Sequence, residues 1–277
     1  MFLHTFKHKG LTFSYYDNHG EGTPLVVQHG LTADYTQAKA IYPDNTRRCI
    51  TLECRGHGLS DGGDVSEWSI ETFADDLRAL LNFLRIEKVV LSGISMGAAI
   101  CLAFASKYPK NVADIVLIRP AWANKPIPEN IMPFKAVADL IDLYGGEDGF
   151  QRYVTSDAYD MLKARSPDNA NSLISLFSRQ TQTLTLMLRV ITSSKPIVND
   201  TILRKNNILP KCIHVERDYI HPYSIVNDLM KLMPGMAIYR ASTKTENPNG
   251  YIDDCKCVIS KVLGSIDVAE RPSKPLF

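Results

Sequence analysis

"VVLSGISMGAAI", Val89 to Ile100, is an apolar run that ends on Gly93, turns through a serine and continues into small helix-forming residues. A short apolar run bounded by glycine reads as a buried parallel strand, and the alanines after it as a helix able to lie close on a sheet. Ser95 stands at the corner. Gly93 and Gly97 flank it in the pattern G-x-S-x-G, which between a strand and a helix reads as a nucleophile elbow. The spacing has a physical reason: the serine occupies a strained turn, and only glycines clear the backbone on either side. The bland alternative is a glycine-rich turn that packs a helix onto a sheet, and the five-residue pattern without its context is weak. A serine hydroxyl is a poor nucleophile until a base takes its proton. The rest of the chain has to supply that base.

Upstream, "SIETFADDLRALLNFLRIEK" places Ile70, Phe73, Leu77, Leu80, Leu81 and Leu84 on one helical face. Its acidic residues crowd the first half and Arg85 and Lys88 the end, as the helix dipole favours. Before it, "LTFSYYD" (Leu11 to Asp17) alternates and reads as an antiparallel edge strand; "LVVQHG" and "RRCITLEC" read as buried strands. The strand ending in His29-Gly30 leads into a loop whose Leu31 N–H, with the N–H of Met96 after the serine, is an expected donor to a developing oxyanion. The side chain of His29 reads as a structural histidine at a strand end, set beside the pocket. In "ECRGHGLSDG", Arg55 and His57 read as fixing their own loop by hydrogen bonds.

Downstream, "ADIVLIRP" is the next strand. Residues 122–207 break the rhythm with helical patterns and few strand signals. Alternation then resumes: strand "KCIHVERD", helix "PYSIVNDLMKLM", strand "MAIYRAST" and a last helix over Tyr251 to Gly264. Strands separated by helices predict an α/β fold, a mostly parallel twisted sheet with helices on both faces. The expected organisation is a core of residues 1–121 and 208–277, with 122–207 inserted as a helical lid over the sheet's C-terminal edge.

Composition narrows the classes. Lys+Arg 31 against Asp+Glu 30 leaves a formal charge of +1, so no electrostatic footprint for nucleic acid is expected. No apolar run reaches the roughly 18 residues of a membrane span, and "MFLHTFKHKG" lacks the pattern of a signal peptide. A cytoplasmic location with reduced thiols is therefore expected for the six cysteines. The one close pair, Cys255 and Cys257, points to different helix faces, which argues against a metal site. No nucleotide, flavin or metal motif appears; a Rossmann dehydrogenase is set aside because no G-x-G-x-x-G follows an early strand.

Taken in order, the strand with His-Gly, "RGHGLSDGG", the helix beginning near Ser69, "GISMGA" and the helical insertion resemble the α/β-hydrolase fold superfamily over nearly the whole chain. The resemblance implies a Ser–acid–His triad with ester, lipid, lactone, thioester or acyl-transfer chemistry, a small-molecule acyl substrate and no cofactor. It gives Ser95 as nucleophile and Asp218 as acid, with Glu216 one alternation earlier as runner-up. It also places a histidine in the loop after the last strand. Here that loop, "ASTKTENPNGYIDD", contains none, and Tyr251 stands near the expected position. The seven histidines are His4, His8, His19, His29, His57, His214 and His221.

Four readings of the missing base stay open. His221 stands in from the acid's own loop. Lys244 acts as base in a Ser–Lys arrangement, which requires burial to depress it by several units. The reaction is a transfer or cyclisation that needs no ordinary base. Or the fold is a disabled hydrolase kept as a binding module. The expected pocket takes His29, Trp122 and Tyr251 as wall residues, and the lid aromatics (Trp122, Phe134, Phe150, Tyr153, Phe177) predict an apolar interior.

Overall fold

The computed structural model describes residues 2–126, 128–179, 183–196, 199–206 and 208–270, so the expected domain ends at 207 and 277 lie outside the described residues. Its strands are β1 (Leu3–His8), β2 (Leu11–Asp17), β3 (Glu21–Gln28), β4 (Arg47–Leu52), β5 (Val89–Ile94), β6 (Val112–Ile118), β7 (Lys211–Val215) and β8 (Ala237–Ala241). They form one sheet in the order β1-β2-β4-β3-β5-β6-β7-β8. The pairs β1–β2 and β2–β4 are antiparallel, and every other pair is parallel.

Among the described residues the helices are α1 (Tyr35–Ile41), α2 (Ile70–Phe83), α3 (Met96–Lys107), α4 (Met132–Val154), α5 (Asp157–Arg165), α6 (Pro167–Ile174), α7 (Leu184–Thr192), α8 (Asp200–Lys205), α9 (Tyr223–Leu232) and α10 (Pro248–Glu270). The expected edge strand is corrected by this topology. β2 lies one place in, and the edge is β1, paired from Leu3 opposite Tyr16 to His8 opposite Leu11. β1 is mostly polar and partly exposed, as an edge tolerates; its anchor is Phe6, stacked on Phe13 with ring centroids 5.3 Å apart.

The central strands read as continuous apolar runs because both faces are covered. Val26, Leu91, Ile115 and Leu117 face one core, with α2, α3 and α9. Leu25, Val27, Val90, Val116 and Ile118 face the other, with α1 and α10. This is the two-residue strand period with an apolar layer on each side. Cys255 is buried and Cys257 exposed on α10, so the two thiols do face different ways.

Helices α4 to α8 lie between β6 and β7. Their polar contacts fall on loops that follow strand C-termini. Arg179 bonds the Thr32 carbonyl, Ser194 accepts the Ile70 N–H at 2.9 Å, and Asn130 bonds the carbonyls of Ala121 and Ile220. These contacts tie the described part of this segment to those loops, and its last helix, α8, packs on α3. No described helix is long and apolar enough to cross a membrane.

The loop after β4 is fixed from below. Arg55, fully buried, donates through Nε and Nη2 to the two oxygens of Asp76 on α2 at 2.7 and 3.0 Å, and through Nη1 to Glu67 at 2.6 Å. Removing one partner of such a buried fork strands the other charge. Asp76→Ala is expected to lower stability by about 3–5 kcal/mol, read from the urea midpoint. A loss under about 1 kcal/mol would show that Glu67 alone holds the arginine.

Candidate active site

Ser95 has φ 54° and ψ −108°, a backbone conformation that a side chain adopts only under constraint. The constraint is the packing of α3 against β5 and β3. A Cβ on Gly97 would lie 2.1 Å from the Gln28 carbonyl oxygen, and one on Gly93 would lie 2.2 Å from the Gly97 carbonyl. Both glycines are thus required by close backbone approach. The Ser95 N–H is tied to the Ile118 carbonyl at 2.9 Å, which leaves the hydroxyl free at the head of the helix.

That hydroxyl meets His221. Ser95 Oγ lies 2.9 Å from His221 Nε2, and His221 Nδ1 lies 2.9 and 3.0 Å from the two oxygens of Asp218. One neutral tautomer satisfies every contact: Nδ1–H donates to the carboxylate and Nε2 accepts from the serine. Both residues come from the bend between β7 and α9, and the His221 backbone N–H also donates to Asp218 Oδ1 at 3.1 Å. The bend is held by the insertion: Ile220 N–H donates to Asn169 Oδ1 at 2.9 Å, and Asn130 donates to the Ile220 carbonyl.

Burial, the largest influence, and the cations Arg119 and Lys244 hold His221 below its ordinary value; Asp218 opposes them. The Asp218 carboxyl stands well below the usual carboxylate range because His221 and Arg119 face it and outweigh the cost of its burial. Glu216 points outward and pairs with Arg240 at 2.8 Å. Lys244, depressed mainly by burial and by Arg119, rests with Nζ 4.9 Å from the Tyr251 ring centroid.

In the loop after β3, Gly30 N–H donates to Gln37 Oε1 at 2.7 Å, Thr32 N–H to His57 Nε2 at 3.2 Å and Ala33 N–H to the Gly30 carbonyl at 3.1 Å. Among the described residues the Leu31 N–H between them has no acceptor, nor has the N–H of Met96 at the start of α3. His57 donates through Nδ1 to the Arg55 carbonyl at 3.0 Å, and burial with His29 nearby pushes it down to about 3, so it stays neutral.

The three expected pocket residues are buried. His29 accepts the Cys54 N–H at 3.1 Å and donates to the Gly30 carbonyl, which uses both ring nitrogens. Trp122 packs in the core beneath the insertion and Tyr251 in the core under α10. A cleft of about 1300 Å³ lies on the outer side of the β7–α9 bend, reaching Asp218, Tyr219 and Tyr223, and neither Ser95 nor His221 lines it.

Three residues with a part in this site were not expected from the sequence: Arg119, Asn130 and Asn169. Arg119 carried a readable signal, a charge closing an apolar strand at its C-terminal end.

The model of the alpha/beta hydrolase fold matches residues 23–207. The chain belongs to the α/β-hydrolase fold family. A diacylglycerol lipase of Danio rerio described as sn-1-specific, ABHD11, is 34% identical over 112 residues, 39% of this chain and 35% of the lipase. A putative 2-succinyl-6-hydroxy-2,4-cyclohexadiene-1-carboxylate synthase of Bacillus subtilis is 32% identical over 47% of this chain and 48% of its own length. The chain thus spans about a third to a half of the length of these curated relatives. Among solved structures, a carboxylesterase of the thaumarchaeon Nitrososphaera gargenis superposes with TM-score 0.70 at 18% identity, over 96% of this chain and 98% of that one. A thermophilic esterase of Thermogutta terrifontis gives 0.65 at 20% identity, over 97% of each chain. At these identities the structural likeness concerns the fold.

Proposed function

We propose that this hydrolase-fold chain is a serine hydrolase of carboxylic esters or related acyl compounds. The observation that carries the reading is the unbroken line from Ser95 Oγ to His221 Nε2 and from Nδ1 to Asp218. In the first step His221 takes the hydroxyl proton as Ser95 Oγ attacks the acyl carbon, and the negative oxygen that develops is received by the N–H groups of Leu31 and Met96. His221 then gives that proton to the leaving alkoxide. Asp218 holds the imidazole in the productive tautomer and offsets its transient charge. Water repeats the sequence on the acyl-enzyme. The insertion of residues 122–207 acts as the lid, anchoring the bend that carries acid and base. No cofactor enters these steps.

The four readings of the base do not stand equal against this geometry. His221 is within hydrogen-bond reach of both partners, whereas Lys244 is engaged with Tyr251. The test is labelling by a fluorophosphonate probe, which reports an activated serine whatever the natural acyl group. The full chain is expected to label, and Ser95→Ala to fall to background. An unlabelled, folded chain would favour the binding-module reading.

A further inference from the structure

Asp218 faces donors on two sides. From one side His221 approaches with its ring Nδ1–H and its backbone N–H. From the other, Arg119 donates through Nε to Asp218 Oδ2 at 2.6 Å. Arg119 directly follows β6, with φ 48°, and its N–H is tied to the Ile213 carbonyl on β7 at 2.8 Å. Its side chain is almost wholly buried, 5.9 Å from the Tyr251 ring centroid, with Nη1 3.8 Å from Asp168.

This placement has a mechanical consequence. Acid and base lie three residues apart on one irregular bend, whose own backbone holds the carboxylate only through the His221 N–H donated to Oδ1. A donor from a separate, rigid element adds a second anchor. Arg119 comes from the end of a central strand and donates to Oδ2, the His221 backbone N–H donates to Oδ1, and the ring Nδ1–H lies between the two oxygens at 2.9 and 3.0 Å.

Resting on the serine-hydrolase reading, we infer that Arg119 is a positioning residue of the Ser95 site: it clamps Asp218 from the β6 side and competes with protonated His221 for the carboxylate's charge. The groups facing His221 fit this role. Asp218 favours the imidazolium, Arg119 and Lys244 oppose it, and Asp168 offsets part of the Arg119 charge. Ser95 contributes no charge, and burial keeps the Tyr251 phenol protonated. The clamp thus orients the acid while favouring the neutral form of the base, the form that accepts a proton.

The experiment compares the full chain with Arg119→Met and Arg119→Lys. Two readouts are followed against pH: the fluorophosphonate labelling rate and the His221 imidazole resonance by NMR. Losing the cation should move the His221 midpoint upward by about half a pH unit or more in Arg119→Met. The plateau labelling rate should fall roughly tenfold as Asp218 loses its second anchor. Arg119→Lys, which keeps the charge but not the Nε contact, should lose plateau rate with its midpoint near that of the parent. A folded Arg119→Met with an unmoved midpoint overturns the inference. Should that variant not fold, an unchanged plateau in Arg119→Lys overturns it as well. A purely structural arginine would lower stability and leave the midpoint alone. If the parent chain does not label, the hydrolase reading fails by itself, and the NMR titration still decides the inference.

Discussion

His221→Ala is expected to lower kcat/KM for p-nitrophenyl acetate or butyrate by on the order of 10⁴ to 10⁶, with the fold intact. The magnitude follows from the geometry. His221 Nε2 is 2.9 Å from Ser95 Oγ, and no other imidazole is a candidate for the proton. His29 and His57 have both ring nitrogens bonded to backbone groups and are held neutral by burial. The remaining basic candidate is Lys244. If it were the base, His221→Ala would retain most activity and Lys244→Met would lose it, the reverse of the pattern expected here. Tyr251→His gives an independent check. Its ring belongs to the core under α10, so a histidine there is not expected to restore activity to His221→Ala. Restoration would show that the first turn of α10 still presents a usable position for the base.

The order of strands and helices was legible because each central strand is apolar on both faces and each long helix has one apolar stripe. β1 was not, since "LHTFKH" carries a polar, partly exposed pattern that only its pairing with β2 makes a strand. The elbow was legible for a local reason: Gly93, Ser95 and Gly97 are dictated by a turn five residues long. The proposed base was harder to read. His221 precedes a proline at the start of a helix, an ordinary structural setting, and nothing in the local pattern says that the bend swings its ring onto Ser95. Asn130 and Asn169 had no signal at all, because their partner is the backbone of Ile220, reached only through tertiary contact. His29, Trp122 and Tyr251, expected beside the pocket, are buried. Proximity to a strand end or to an expected position in sequence says nothing of which way a ring turns.

Asp218→Asn is expected to separate the two tasks of the acid. An amide keeps one acceptor oxygen where the carboxylate has two, and three donors now aim at it: Arg119 Nε–H, His221 Nδ1–H and the His221 backbone N–H. Whichever way the amide turns, at least one donor meets an NH₂ group. When that donor is the ring, His221 flips to the tautomer that carries its proton on Nε2 and cannot accept from Ser95, so kcat should fall by about 10⁴. The Arg119 cation also loses the anion it was buried against. Asp168, 3.8 Å away, compensates in part, so the stability loss should sit near the low end of about 3–5 kcal/mol. Combining Asp218→Asn with Arg119→Met removes the stranded charge. The double variant should regain much of the urea midpoint lost by Asp218→Asn while recovering none of the activity. Activity that returned together with stability would mean that Asp218 serves the fold alone, and that His221 keeps its orientation without a carboxylate.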